Sequence, residues 1–142
     1  MFDSLHEECG VFGIYTDKTS DVASQAYLSL YALQHRGQES CGIVVNDDGV
    51  FSYHKDLGLV NEVFNKDVLT KLGVGKIAIG HVRYPTTGKS NRSNAQPLVV
   101  RHIKGSMSIA HNGNLINAKE LRDQFELNGG IFHNTNDTEV IS

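Results

Sequence analysis

Two glycine-containing turn signals divide the chain into short apolar runs, and they constrain the fold more than any other feature. Asp47-Asp48-Gly49 separates the runs at 43–45 and 50–53, and Lys104-Gly105 separates those at 98–103 and 106–110. Short apolar runs that meet at a tight glycine turn are typical of β-hairpins. The sequence therefore predicts largely antiparallel sheets.

Around the hairpins, helix signals alternate with strand signals, which predicts an α+β layered domain. Apolar residues recur at helical spacing from 21 to 35, where Ser20 or Asp21 is placed to cap the helix and Gly37 to end it. Residues 83–97 show no periodicity, and loops of that length are commonly functional. The other predicted elements are a strand at 10–15, a shorter helix at 61–72, a strand at 76–82, a helix at 118–127 capped by Asn117 and stopped by Gly129-Gly130, and a helix that begins at Asp137 or Thr138.

Composition excludes several classes of function. The 142 residues make one domain of ordinary soluble composition, with 39% hydrophobic and 20% charged residues. The 13 basic residues are scattered and are outnumbered by 16 acidic ones, which argues against a nucleic-acid surface. No stretch approaches the ~20 apolar residues of a membrane span, and the acidic first eight residues do not fit a secretory signal. We expect a cytoplasmic protein with two reduced thiols.

The two cysteines lie in similar local sequences, ECGVFGIY and SCGIVVN, and either could be a small core residue. Position distinguishes them, because only Cys9 would become the first residue of a chain that loses a short leader. A free α-amine titrates near ~8 and can take the thiol proton, so an N-terminal cysteine carries its own base. A peptide bond to Glu8 would abolish that basicity, and the leader would then act as an off switch.

Three further motifs have both a structural and a functional interpretation. Arg83 ends a predicted strand and is either a surface cation or a guanidinium fork for a carboxylate. Asn112-Gly113 is either a turn or a pair of donors for one oxygen, an oxyanion hole. Asp137 is most simply a helix cap and could also be a partner for an ammonium group; the two roles are compatible if the side chain is shared or Thr138 caps instead.

Together, a thiol, two oxyanion donors, a cation and an anion describe a pocket for an amino acid with a hydrolysable side-chain amide. Glutamine fits that description. Metal chemistry is less well supported, because none of the seven histidines has the spacing of a zinc motif. No metal-binding residue is predicted within these 142 residues.

Six segments in order resemble the N-terminal glutaminase domain of the glutamine phosphoribosylpyrophosphate amidotransferases, a branch of the class II glutamine amidotransferases. They are ECGVFGI, LQHRGQESCGI, GHVRYPTTG, AQP, AHNGNL and NTNDTE. The resemblance covers the chain from Cys9 to its last residue. It implies an N-terminal-nucleophile hydrolase fold, a four-layer α-β-β-α sandwich with antiparallel sheets, here truncated at the C-terminal side.

The resemblance also implies roles for individual segments and residues. Residues 1–8 would be a cleavable propeptide, and residues 9–142 the N-terminal part of the amidotransferase domain. Residues 83–94 would form a loop that closes over glutamine and excludes water. The implied site consists of Cys9 as nucleophile, Asn112 and Gly113 as oxyanion hole, Arg83 with Thr86 for the glutamine carboxylate, Asp137 for the α-ammonium, and Arg36 near the closed site.

By the same resemblance, ammonia released from glutamine would convert phosphoribosyl pyrophosphate to 5-phosphoribosylamine, the first step of purine biosynthesis. The phosphoribosyltransferase domain and its magnesium would lie beyond Ser142. Relatives with an acidic leader often carry a 4Fe–4S cluster, whose ligands would also lie outside this chain. We expect a homo-oligomer for the full-length enzyme.

A chain that retains Met1 keeps the amine of Cys9 blocked, so we expect this fragment to be inactive as it stands. Three alternatives stay open. The chain could be the glutaminase domain of another class II amidotransferase, or a folded module without catalysis. It could also be a thiol hydrolase in which Cys9 pairs with His81 or His111.

Overall fold

The computed structural model describes residues 9–34, 38–85, 91–113, 115–133 and 135–142. Within these ranges, no helix is long and apolar enough to span a membrane. The elements in chain order are β1 (Gly10–Ser20), α1 (Val22–Leu33), β2 (Ser40–Asp47), β3 (Val50–Leu57), α2 (Val60–Val63), α3 (Lys66–Leu72), β4 (Gly75–Arg83), a 3₁₀ turn (Arg92–Asn94), β5 (Leu98–His102), β6 (Gly105–Ile109), α4 (Ala118–Leu127) and α5 (Thr138–Ile141).

A four-stranded sheet in the order β1-β4-β2-β3 forms the centre of the fold. All its neighbouring strands are antiparallel. The first predicted hairpin is confirmed as β2-β3, and its turn contains Asp48 and Gly49 with φ of 51° and 91°. β5 and β6 form the second predicted hairpin as a separate two-stranded sheet. The predicted α+β class with antiparallel sheets is therefore confirmed.

One face of the four-stranded sheet packs against α1, α2 and α3 and holds the hydrophobic core. Alternation places Ile43 and Val45 of β2 and Val82 of β4 on this face, and all three are buried. Gly80 of β4 lets α1 approach closely, because a Cβ there would lie 2.9 Å from Leu30 Cδ1. The sequence thus positions α1 with a small residue in the strand beneath it.

The opposite face of the sheet is covered only in part. Near Gly42 and His81, which are paired in register, the backbone of Gln96 lies against the sheet. Further along β1 this face is open, and Tyr15 is 73% exposed. The covered patch is the place where the segment that leads into β5 lies on the sheet.

Several predicted boundaries are wrong. The strand expected at 10–15 continues to Ser20, because Ser20 pairs with Gly75 after an irregular register between them. The helix expected at 61–72 is two helices, and Asn65 begins the second by accepting a hydrogen bond from the Val68 N–H at 2.9 Å. Asn117 makes no side-chain cap at α4, contrary to expectation. Asp21 does cap α1, as one of the two predicted candidates.

Candidate functional site

The antiparallel pairing of β1 and β4 brings Cys9 and Arg83 to the same end of the sheet. Gly10 pairs with Val82, Cys9 directly precedes Gly10, and Arg83 directly follows Val82. Val82 points into the helical core, so alternation directs the flanking residues toward the other face. The predicted nucleophile and the predicted carboxylate-binding cation are therefore neighbours on adjacent strands, although 74 positions separate them in sequence.

The second cysteine lies on the core face of the same sheet. Cys41 also pairs with Val82, is fully buried, and its Sγ lies 3.8 Å from the Gly58 carbonyl oxygen. Burial raises the pKa of its thiol to about 12. Cys9, by contrast, is only half-buried. The structure thus confirms that Cys41 is a residue of a core strand.

Arg83 is held by a residue that the sequence did not single out. The Glu39 N–H donates to the Arg83 carbonyl at 2.7 Å, and the Glu39 carboxylate lies 3.9 Å from Arg83 Nε. At that distance the contact is electrostatic rather than a hydrogen bond. Both side chains are mostly buried, with 21% and 13% exposed. Glu39 directly precedes β2, and nothing in its local sequence distinguishes it from a surface acid.

The Asn112-Gly113 turn follows β6 and leaves its donors exposed. Gly113 has a φ of 149°, a conformation that favours glycine, and a Cβ there would lie 3.2 Å from His111 Nε2. Both residues are exposed. The Gly113 N–H and the Asn112 amide donate no hydrogen bond to another described residue. They are thus compatible with the predicted oxyanion hole.

Buried side chains fix the residue before that turn. The His111 N–H donates to Gln96 Oε1 at 2.7 Å, and its carbonyl oxygen lies 3.1 Å from His81 Nε2. Burial lowers the pKa of His81 to about 4. Within the described ranges, neither His81 nor His111 is hydrogen-bonded to Cys9. This geometry argues against the cysteine–histidine pair considered above.

Asp137 does not cap the helix that it precedes, so the structural interpretation of this residue is wrong. Its Oδ2 accepts a hydrogen bond from the Leu115 N–H at 2.6 Å, and its Oδ1 lies 4.0 Å from His111 Nδ1. Asn136 instead accepts the Thr138 N–H at 3.0 Å. The Asp137 carboxylate is therefore directed toward the segment that carries the Asn112-Gly113 turn.

Two asparagines connect Asp137 to the long aperiodic segment. The Asn136 Nδ2 donates to the Asn94 carbonyl at 3.1 Å, and the Asn94 Nδ2 donates to Thr135 Oγ1 at 3.0 Å. Both asparagines are buried. They were not predicted, because an isolated asparagine gives no signal of a partner about forty residues away.

Some predictions lie outside the described residues. These are the leader at 1–8, Arg36, Gly37 as helix stop, Thr86, and residues 86–90 of the predicted closing loop. Within the described ranges, no group of three or more His, Cys, Asp or Glu side chains is placed to hold a metal. One surface cavity of about 590 Å³ lies between α1 and α3, and none of the candidate site residues lines it.

Comparisons with known proteins find relatives along most of this chain. Residues 65–142 match the family model described as "Glutamine amidotransferase domain". The amidophosphoribosyltransferase of Methanocaldococcus jannaschii is 48% identical over 134 residues, which are 94% of this chain and 28% of that protein. The chain thus spans little more than a quarter of the curated relatives that it matches.

Two solved structures have a similar fold. One, titled "Structure of the allosteric regulatory enzyme of purine biosynthesis", has a TM-score of 0.81 and 47% identity, over 92% of this chain and 28% of that one. The other is the glutamine phosphoribosylpyrophosphate amidotransferase of B. subtilis complexed with ADP and GMP, with a TM-score of 0.76 and 46% identity, over 92% and 27%. The N-terminal-nucleophile hydrolase fold expected from the sequence is therefore confirmed.

Proposed function

Because the chain belongs to the glutamine amidotransferase domain family, we propose that it is the glutaminase part of an amidophosphoribosyltransferase. It would release ammonia from glutamine for the conversion of phosphoribosyl pyrophosphate to 5-phosphoribosylamine in purine biosynthesis. The observation that carries the proposal is the pairing of β1 with β4, which sets Cys9 beside Arg83. The family match supports glutamine as the substrate class.

The proposed nucleophile is Cys9 after removal of residues 1–8. The freed α-amine accepts the thiol proton, directly or through a water, and the thiolate attacks the carboxamide carbon of glutamine. The C–N bond of the resulting tetrahedral intermediate breaks, and the nitrogen takes up the proton and leaves as ammonia. Water then hydrolyses the glutamyl thioester, which gives glutamate and restores the thiol.

The oxyanion of each tetrahedral intermediate would be bound by the Asn112 side-chain amide and the Gly113 N–H. Their lack of partners among the described residues supports this role, because preorganised and unused donors are what the intermediate requires. Removing one such donor typically lowers the rate by about 10² to 10³. Glycine at 113 also keeps the backbone accessible to the substrate.

The two charged groups of glutamine, both on its α-carbon, would be bound at the end of the molecule away from the scissile side-chain amide. The Arg83 guanidinium offers a planar fork to the α-carboxylate, and Glu39 holds it at the end of β4. The Asp137 carboxylate uses Oδ2 to accept the Leu115 N–H, and its Oδ1 would bind the α-ammonium group. Thr86 and Arg36 are assigned to the same pocket on the family motifs alone.

The other half of the reaction is proposed to take place in a part of the protein outside these 142 residues. Ammonia would reach a phosphoribosyltransferase domain and displace pyrophosphate, with the magnesium ion and a 4Fe–4S cluster bound there. Closure of residues 83–94 over glutamine would keep water from the thioester. A cytoplasmic homo-oligomer is the proposed form of the whole enzyme.

The test compares two cysteine variants of the complete protein as its gene encodes it. Cys9→Ala should abolish release of glutamate from glutamine while ammonia-dependent formation of phosphoribosylamine persists. Cys41→Ala is the matched control, because it removes the other thiol from the core face, and it should retain glutaminase activity. Glutaminase activity in Cys9→Ala would refute the assignment.

The leader is tested separately by N-terminal sequencing of the active protein. We expect the first residue to be Cys9. An active polypeptide that still begins at Met1 would show that the amine of Cys9 is not the base.

A further inference from the structure

Two buried side chains from distant parts of the fold hold both peptide groups of His111, the residue before the Asn112-Gly113 turn. Gln96, which is 6% exposed, accepts the His111 N–H at 2.7 Å. His81 of β4, fully buried, lies with its Nε2 at 3.1 Å from the His111 carbonyl oxygen. The chain leaving β6 is therefore fixed from two directions.

The direction of the His81 hydrogen bond defines the protonation of its ring. A carbonyl oxygen can only accept, so Nε2 must carry the hydrogen. The ring is neutral at neutral pH, because burial lowers its pKa to about 4, and its single proton is then on Nε2. Nδ1 has no hydrogen-bond partner within the described ranges, so no other described group competes for that proton.

Gln96 is itself placed by close contact with the four-stranded sheet. A Cβ at Gly42 would lie 2.2 Å from the Gln96 carbonyl oxygen, so the absence of a side chain there is what lets this segment approach. The Lys55 ammonium donates to the next carbonyl, that of Pro97, at 3.2 Å. Gly42 also pairs in register with His81. The two groups that hold His111 thus share one rigid support.

We propose that Gln96 and His81 are positioning residues that clamp the His111 peptide and so set the location of the oxyanion donors Asn112 and Gly113. This inference rests on the proposed glutaminase function. Neither residue touches the substrate in this arrangement. Their effect is on kcat, because misplacing a catalytic donor by about 1 Å can cost roughly 10²-fold. The groups assigned to binding the α-carboxylate and α-ammonium of glutamine are instead Arg83 and Asp137.

The test uses Gln96→Met and Gln96→Glu in the complete protein. Methionine has similar length but no acceptor, whereas glutamate keeps an oxygen that can accept the His111 N–H. We expect Gln96→Met to lower kcat for glutamine hydrolysis by about 10- to 100-fold with KM within about threefold, and Gln96→Glu to restore most of the rate. Alkylation of Cys9 by iodoacetamide, which needs no oxyanion hole, should proceed at the wild-type rate in both variants.

Each outcome has a defined meaning. If the wild-type protein hydrolyses glutamine and Gln96→Met has a normal kcat, the clamp is refuted and the proposed function stands. Equal loss of kcat in both variants also overturns it, because the acceptor would then not be the feature that matters. A wild-type protein that hydrolyses no glutamine refutes the proposed function instead.

The His81 half of the clamp is tested without any variant. In protein labelled with ¹⁵N-histidine, two-bond ¹H–¹⁵N spectra report which ring nitrogen carries the proton. The clamp requires the Nε2–H tautomer of His81 at neutral pH. An Nδ1–H tautomer would refute the donated bond, whatever the stability of the Gln96 variants.

Discussion

Replacement of Gly42 by alanine should disturb both the central sheet and the segment that lies on it. The added Cβ would be 2.2 Å from the Gln96 carbonyl oxygen and 2.8 Å from Lys55 Cβ. Ordinary contact begins near 3.4 Å, so the Gln96 backbone would have to retreat by about 1 Å. Backbone in contact with a strand cannot rotate away as the end of a flexible side chain can. The strain must therefore be shared by β2 and the Gln96 segment.

The expected cost follows from overpacking. Extra methyl groups in a well-packed site typically destabilise by about 1–3 kcal/mol, which corresponds to a roughly 5- to 150-fold increase in the opening equilibrium. Gly13→Ala is the matched control in the same sheet, because a Cβ at residue 13 would meet its nearest neighbour, Ile79 Cγ2, at 3.9 Å. That substitution should be neutral or slightly stabilising, since alanine restricts the unfolded chain.

Hydrogen–deuterium exchange with mass spectrometry measures both effects in the complete protein. Peptides that cover β2 and His111 should exchange faster in Gly42→Ala, because the His111 N–H depends on the position of Gln96. The same peptides in Gly13→Ala should match the wild type within about threefold. Equal protection in the two variants would show that the contact at Gly42 does not restrain this segment, and the reasoning would fail.

Three other measurements test the assignments made above. Burial lowers the pKa of His81 to about 4, so as the pH falls this histidine is protonated in the unfolded chain before it is protonated in the folded one. The free energy of unfolding should therefore drop by about 3 kcal/mol between roughly pH 6.5 and pH 4. Urea-unfolding midpoints across that range should show a shallower slope in His81→Gln, and an identical slope would contradict the assignment. Diazo-oxonorleucine should label Cys9 in the processed protein and spare Cys41, which peptide mass spectrometry detects, and labelling of Cys41 would overturn the choice of nucleophile. Asp137→Asn should raise KM for glutamine roughly 30-fold or more, because it removes the partner of the ammonium group. Asp123→Asn, on the exposed surface of α4, is the control and should leave KM unchanged. Equal KM values in the two variants would exclude Asp137 as that partner.

Local sequence predicted the presence of the helices and strands better than the residues at which they begin and end. The hairpins and α1 were predictable because turn glycines, apolar periodicity and the Asp21 cap all act within a few residues. The extension of β1 to Ser20 depends on pairing with Gly75, 55 positions later, and no local pattern contains that information. The break at Asn65 was missed because the apolar pattern continues across it.

The residues of the candidate site also fall into two groups, those that local sequence predicts and those that only the fold reveals. Cys9, Arg83 and the Asn112-Gly113 turn could be proposed from residue type and motif, since their chemistry is specific. Glu39 and Gln96 could not, because each acts through a partner that only the fold brings near. Asp137 was predicted as a helix cap and as a partner for an ammonium group. Its carboxylate accepts the Leu115 N–H and does not cap its own helix, and its ammonium role stays a prediction.

The oxyanion turn has to lie outside a regular sheet if it is to work as proposed. A β-ladder fixes backbone N–H groups by using them in hydrogen bonds, whereas an oxyanion hole needs an N–H that is fixed and still unused. β6 ends at Ile109, and the turn that follows belongs to neither sheet. His81 and Gln96 bind the His111 peptide instead, so order is imposed one residue before the donors and Gly113 keeps its N–H for the substrate. Activity should therefore be more sensitive than stability to the loss of the Gln96 acceptor.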